Sequence, residues 1–363
     1  MSVSLDQVKA YAVRNERNLA VGFFVAGFLF DIFTLGRIDS WLTIGQQAVY
    51  LAIVTAVLVH MLRQEAEPVL SENDPAWKRW YYDYRKPAIH FLLGALLSAY
   101  TLFFFKSSSL LVSFGFMAVL VALLVANEAE RFKALGLPVK FALLGLCYLA
   151  FFAYVLPVLI GQTGLFVFIA SMALGCVPLA APAYPLPAQG RRRILVPLGS
   201  VLVVFLAFYL FRLIPPVPLS IPFMGVYHAV ERTEEGYKLS HERPAWRFWH
   251  NGDQWFQAEP GDRVHVYFRI FSPSRFADQV TMRWYRRDEK RGWVLHDAIP
   301  IKIVGGRELG FRGYGVKTNW QEGSWKVQVE TTDQREIGRI YFRVDPVPAA
   351  VTSQQRSFRA ELD

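Results

Sequence analysis

Every apolar run long enough to cross a ~30 Å hydrocarbon layer as a helix, about 17 to 25 residues, lies before Pro215 in this chain, and none follows it. A composition that is 53% hydrophobic is also compatible with one large soluble core, so the distribution of apolar residues decides. It divides the chain into a membrane part and an exported or internal soluble part. Seven spans are expected: Leu19 to Leu35, Trp41 to Leu62, Ile89 to Phe105, Leu110 to Ala126, Phe141 to Ile160, Gly164 to Ala183, and Ile194 to Phe211. Gly and Pro interrupt them, as membrane helices tolerate when neighbouring helices satisfy the freed backbone groups. The sixth is the weakest, because Pro178, Pro182, Pro185 and Pro187 crowd its end; if it is re-entrant, the final domain changes side.

Short cytoplasmic loops retain Lys and Arg, which sets orientation. Lys9, Arg14 and Arg17 precede the first span, and Arg63, Lys78, Arg79, Arg85 and Lys86 follow the second. Arg131, Lys133 and Lys140 follow the fourth, and Arg191, Arg192 and Arg193 the sixth. Opposite them stand only Arg37, Lys106 and Arg212. The N-terminus is therefore expected in the cytoplasm and everything after Pro215 in the periplasm of a bacterial inner (cytoplasmic) membrane, multi-pass in its bilayer. The first apolar run holds Asp31 and lacks a small-residue cleavage pattern, so it reads as a retained helix. Cys147 and Cys176 fall inside spans, so disulfides do not stabilise the exported part. The formal charge of +9 divides into +6 before Pro215 and +3 after it. Most of it is topology and not a nucleic-acid footprint.

Between Arg63 and Pro87 an expected cytoplasmic loop carries Trp77, Trp80, Tyr81, Tyr82 and Tyr84, a composition suited to the headgroup level. The segment Ile214 to Pro222 contains four prolines and should form an extended, stiff stalk. Beyond it the hydrophobic period changes to two. Val264, Val266, Phe268 and Ile270 alternate with Arg263, His265, Tyr267 and Arg269, and Trp325, Val327, Val329 and Thr331 alternate with Lys326, Gln328, Glu330 and Thr332. Each pattern predicts a strand with one face buried and the other wet. Further strands are expected at Gly225 to Val230, Val280 to Arg286, Trp293 to Val304, Gly313 to Trp320 and Glu336 to Val344, with a long loop and short helix over Tyr237 to Glu259. The expected architecture is a membrane α-helical bundle of seven transmembrane helices (1–213) and the Pro-rich stalk (214–222), followed by an all-β immunoglobulin-like sandwich (223–347) and a disordered tail (348–363).

The chain has no P-loop, H-E-x-x-H, C-x-x-C, G-x-S-x-G or G-x-G-x-x-G motif, so no catalytic residue, cofactor or metal site is assigned. His228, His241, His250, His265 and His296 lack metal-ligand spacing. Asp31 is an intramembrane charge and a functional candidate by that fact; the structural alternative pairs it with Arg212 near the outer face. In the exported part Trp246, Trp249 and Trp255 lie beside Arg243, Arg247 and His250. Flat aromatics with basic neighbours suit an anionic glycan, and packing beneath a loop is the alternative. Arg307, Arg312 and Lys317 stand near Gly305, Gly306, Gly310 and Gly313. They are candidates to converge on an anion at a tight turn, or to cover apolar surface.

Three stretches carry a resemblance: Phe30-Asp31 with Thr34-Leu35-Gly36-Arg37-Ile38-Asp39, then Gly225-Val226-Tyr227-His228, and the run GGRELGFRGYGVKTNWQEGSWKVQVETTDQREIGRIYFRV from Gly305 to Val344. Together they resemble, over essentially the whole chain, an uncharacterised family of bacterial membrane proteins with a C-terminal domain of unknown function. The chain departs from it at Gln334-Arg335, where the family has a Gly in the turn before the final strand. The resemblance implies a membrane-anchored periplasmic β-domain and no known activity. The function expected is therefore a multi-span anchor presenting a β-sandwich that binds an envelope component, either a polysaccharide or another membrane protein. The alternative is a transporter or membrane enzyme regulated by the sandwich, supported by Asp31, Gln46, Gln47 and Asn127.

Overall fold

The computed structural model describes residues 37–64, 74–107, 110–234, 236–273, 276–306, 310–347 and 357–363. The chain divides into two compact units, one of helices and one that takes in Arg212–Asp363 with the segments Lys106–Phe114 and Leu156–Ile169.

Apolar runs, several with Gly and Pro inside them, form helices at the six expected spans that fall on described residues. They are α1 (Trp41–Arg63), α2 (Ala76–Lys106), α3 (Leu110–Glu128), α4 (Leu137–Ile160), α5 (Leu165–Ala183) and α6 (Ala188–Leu210). The expected first span and its Asp31 lie outside the described residues. Five of the six helices are long and apolar enough to cross a membrane, while α3 has only the shorter apolar stretch Val112–Asn127. Six of the seven expected spans thus fall on described residues, and five of those six are helices long and apolar enough to cross a membrane. The segment around the sixth expected span is continuous helix through Pro178 and Pro182. The loop expected between Arg63 and Pro87 is also shorter, because α2 starts at Ala76 and runs through Pro87. Trp77, Trp80 and Tyr84 are exposed on its first turns.

Polar groups inside the helical unit are used for packing. The Tyr154 hydroxyl donates to Gln47 Oε1 at 2.7 Å, and Asn127 Nδ2 donates to the His90 carbonyl at 3.1 Å. Gln46 reaches only the Tyr50 hydroxyl one turn along its own helix. Gln47 and Asn127 thus each join neighbouring elements through one end of the amide, as buried polar groups commonly do.

The second unit is built on two packed sheets. One has the order β1 (Ser220–Tyr227), β5 (Val264–Phe271), β8 (Phe311–Lys317). The other has the order β4 (Trp255–Ala258), β10 (Glu336–Pro346), β9 (Gly323–Thr331), β6 (Ala277–Asp288), β7 (Gly292–Val304). Pairing is antiparallel except between β4 and β10. Alternation drives the core: Val264, Val266, Phe268 and Ile270 of β5 face Met282 and Trp284 of β6 and Trp325, Val327 and Val329 of β9 in one buried cluster. At the turn before β10, Gln334 takes φ 61, a left-handed conformation that explains why a Gly suits this position.

A third sheet, in the order β11 (Arg359–Leu362), β3 (Tyr237–His241), β2 (Ala229–Arg232), corrects three expectations. Tyr267 of β5 was expected on a wet face; it is buried with Tyr227 and Leu239 in a second cluster beneath this sheet. The tail expected to be disordered supplies β11, paired antiparallel with β3. The stretch Tyr237 to Glu259, expected as loop and short helix, contains β3 and β4 joined by turns. The stalk is corrected as well. Leu219 belongs to the sandwich core, β1 begins at Ser220, and the buried guanidinium of Arg335 donates to the Ile214 carbonyl at 3.1 Å. Apolar residues between the prolines are packed, so the segment is part of the domain and not a spacer. Within the same unit, the turn after α4 is fastened to β6: Ala277 N donates to the Gly161 carbonyl, and Thr163 donates through both N and Oγ1 to Asp278 Oδ2.

Candidate functional site

Strand register decides which side chains share the outer face of the five-stranded sheet. Tyr341 of β10 pairs with Lys326 of β9, and Lys326 with Tyr285 of β6. Arg287 pairs with Trp293 of β7, and Arg343 of β10 with Trp255 of β4. Directly paired residues project to the same side, so these alternate positions form one surface of aromatic and basic groups. Trp255 and Tyr341 are exposed, and Trp293 sits 5.6 Å from Tyr341 between centroids. The Lys326 ammonium lies 4.2 Å from the Tyr285 centroid and 5.5 Å from that of Trp293, a cation held by ring faces. Partial burial lowers its pKa, and the nearby Arg339 adds to the effect. Cations exceed acids here. Arg247, Arg283, Arg287, Lys326, Arg339 and Arg343 stand against Glu330, Glu336 and Asp345, of which Glu330 binds Arg283 at 2.9 Å, Glu336 binds Arg339, and Asp345 binds Arg343 at 2.7 Å.

The loop between β3 and β4 extends this surface past Trp255. Gly252 has φ 66, and a Cβ there would meet the Val226 backbone, so only glycine lets the loop lie against β1. Asp253 N donates to the Val226 carbonyl at 2.7 Å, and Asp253 Oδ2 accepts from Glu242 N at 2.8 Å, closing the loop at its base. Burial raises the Asp253 carboxyl to about 6, with the charge of Glu242 contributing and the Glu242 and Arg243 amides opposing. Arg243 ties the loop from within, donating to the carbonyls of Arg247 and His250. The result is an outward-facing cluster. The Arg247 guanidinium lies 4.6 Å from the Trp246 centroid and 4.2 Å from that of Trp255, and His250 stacks on Trp255 at 6.2 Å and 28°. Trp249 stands edge-on to Trp246 and Phe248. Trp246, Phe248, Trp249 and Trp255 are between 57% and 78% exposed, an uncommon concentration of bare aromatic surface. A cleft lined by His250, Trp255, Arg287, Trp293, Tyr341 and Arg343 joins the loop to the sheet face.

Trp249 and Trp255, singled out in the sequence, are therefore brought together. Of the glycine-flanked cations, the described Arg312 and Lys317 are not. Gly306 and Gly310 do take positive φ, as a tight turn requires, but Arg307 lies outside the described residues. Arg312 Nε is 3.5 Å from Asp363 Oδ2. Lys317 is buried against Asp297 and His296. Both cations are matched by acids from elsewhere in the chain. Arg212 has φ 59 and its charge acts on Glu330; the proposed partner Asp31 lies outside the described residues. Sequence reasoning missed Tyr285, Arg287, Trp293, Lys326, Tyr341 and Arg343. Alternation with core residues on β6, β9 and β10 was the available signal for all of them but Trp293, which lies on β7. No group of His, Cys, Asp or Glu with metal-binding geometry occurs among the described residues.

An immunoglobulin-like protein from Pseudomonas aeruginosa is similar at 13% identity and TM-score 0.22, over 36% of this chain and 98% of its own. A β-glucosidase from Listeria innocua is similar at 10% identity and TM-score 0.19, over 36% of this chain and 18% of its own. Likeness at that level says nothing of activity. No curated protein matches. A resemblance is expected over essentially the whole chain; the match found covers residues 277–344, from β6 to β10, and is to a family described as a protein of unknown function, DUF2914.

Proposed function

We propose that this protein is a polytopic inner-membrane anchor that presents its β-domain in the periplasm, where the aromatic and basic sheet face binds an anionic envelope polysaccharide. The observation that carries this reading is the bare strip from Trp255 and Arg343 through Tyr341 and Lys326 to Trp293 and Arg287. Ring faces carry negative quadrupole charge and fit the C–H faces of sugar rings. The interleaved cations fit carboxylate or phosphate substituents, with arginine offering a planar fork of donors. A strip of exposed aromatics running across the strands from β4 to β7 suits an extended polymer better than a small ligand, which would be enclosed on most sides. The orientation rests on the cationic loops of the sequence.

The test uses the full chain in detergent or nanodiscs, with an acidic polysaccharide and a neutral one of matched length as probes. The acidic polymer should bind, and Trp255→Ala with Trp293→Ala should weaken binding about tenfold or more, as loss of two stacking platforms would. Equal binding of both polymers, or no loss in the double variant, sinks the reading. A reporter active only outside the cytoplasm, fused after Asp363 and separately after Gly190, checks the topology: activity at Asp363 and none at Gly190 is expected, and silence at Asp363 overturns the periplasmic placement.

A further inference from the structure

On the opposite side of the sandwich, β11 runs along the edge of β3 with Arg359 opposite His241 and Leu362 opposite Lys238. The pairing continues in reciprocal bonds between Tyr237 and Asp363, each 3.0 Å. Strand alternation turns Glu361 and Asp363 to the same side. Each carboxylate meets a similar set of donors. Glu361 accepts from the Tyr227 hydroxyl at 2.5 Å and lies 3.4 Å from Arg243 Nη2 and 3.9 Å from His241 Nε2. Asp363 accepts from the Tyr267 hydroxyl at 2.5 Å and lies 3.1 Å from Arg269 Nη1 and 3.5 Å from Arg312 Nε. Tyr227 and Tyr267 are buried in the packed cluster beneath β3, so their hydroxyls are held in place whatever the carboxylates do. The receptor groups come from β1, β3, β5 and β8 and the loop after β3. The acids come from a single strand bonded along one edge only.

We propose that this double socket is a docking site for an extended acidic segment of a partner protein, with carboxylates two residues apart, and that Glu361-Leu362-Asp363 occupies it from within the chain. The recognition is strand addition to a sheet edge: the β3 backbone supplies affinity for any extended segment, and the two tyrosine and arginine pairs select acid-x-acid. A hydroxyl and a guanidinium converging on one carboxylate favour the ionised ligand over an amide of the same shape. This binding lies beyond the polysaccharide reading and uses the other face of the domain.

The experiment compares the full chain with a full-length Glu361→Gln, Asp363→Asn variant, using a fluorescent peptide of residues 357–363, SFRAELD, as probe. The internal strand competes at high effective concentration, so the variant should take up the peptide about tenfold more tightly than the unaltered chain. A peptide carrying Gln and Asn in place of its two acids should bind the variant about tenfold less tightly. A chain ending at Val347 with Arg269→Gln and Arg312→Gln, compared with the same chain carrying both arginines, locates the site, and loss of peptide binding is expected. Equal peptide binding to the unaltered and variant chains overturns the proposal, as does indifference to the peptide's acids. A dimer that forms by exchange of β11 and excludes the peptide makes a second copy the occupant and overturns the partner segment.

Discussion

The two outer faces of the sandwich begin from the same pattern and end differently. β5 alternates Val264, Val266, Phe268 and Ile270 with His265, Tyr267 and Arg269, and β9 alternates Trp325, Val327 and Val329 with Lys326, Gln328 and Glu330. Both send their apolar residues to the common core. On the β5 side Tyr267 is buried beneath the sheet of β11, β3 and β2 and becomes as inaccessible as the core, while His265 and Arg269 are half-buried. On the β9 side no strand among the described residues lies over Tyr341, Lys326 and Tyr285. Aromatics on the covered face therefore contribute to stability, whereas those on the other face are exposed or half-buried among the described residues.

Truncation of one tyrosine on each face should break that comparison if it is wrong. Tyr267→Ala removes a fully buried ring and the donor to Asp363, and should destabilise the domain by about 3 to 5 kcal/mol, in the range for large aromatics cut from a core. Tyr341→Ala removes a ring that is 41% exposed and should change stability by less than about 1 kcal/mol. Denaturant unfolding followed by tryptophan fluorescence measures both. Comparable losses would mean that the outer face of the five-stranded sheet is also packed in the working protein.

The contrast between the faces also marks how far the sequence could be read. Spans and alternating strands are local patterns, so α1 to α6, β5 and β9 were legible from residue order alone. Trp249 and Trp255 were legible because exposed aromatics in an irregular stretch have no core to enter. Arg312 and Lys317 do each meet a carboxylate, but those of Asp363 and Asp297 come from the chain itself and are brought close only by tertiary pairing, which residue order does not show. The tail gave no signal: Arg359-Ala360-Glu361-Leu362 is too short and polar to show a period, and its partners are Tyr227, Arg243 and the β3 edge. The Pro-rich segment was read from backbone restriction, which holds, but restriction does not say whether Val217 and Leu219 are covered, and both are.

Asp253 sits at the seam between the faces, and its expected effect is smaller than that of Tyr267. Its amide pins the loop bearing Trp246 and Trp249 to β1, and its carboxylate lies 3.6 Å from His228 Nε2, whose ring packs on Phe256 and against Phe358 ahead of β11. Burial holds the carboxyl at about 6 in the folded domain against 3.8 for an ordinary aspartate. The folded state thus keeps its proton where the unfolded chain has lost it. The resulting stability is present in full below pH 4 and falls as pH rises to about 6, a loss of about 2 to 3 kcal/mol. Asp253→Asn keeps an oxygen acceptor for Glu242 N and removes the buried charge. The variant should match the natural chain at pH 4, exceed it by up to that amount at pH 7, and bind acidic polysaccharide unchanged at pH 7. Parallel stability curves across pH 4 to 7 would show that the loop is not closed by a buried, proton-sensitive carboxyl. A shift in polysaccharide affinity with unchanged stability would instead place Asp253 in contact with the ligand, extending the bare face inward across the seam.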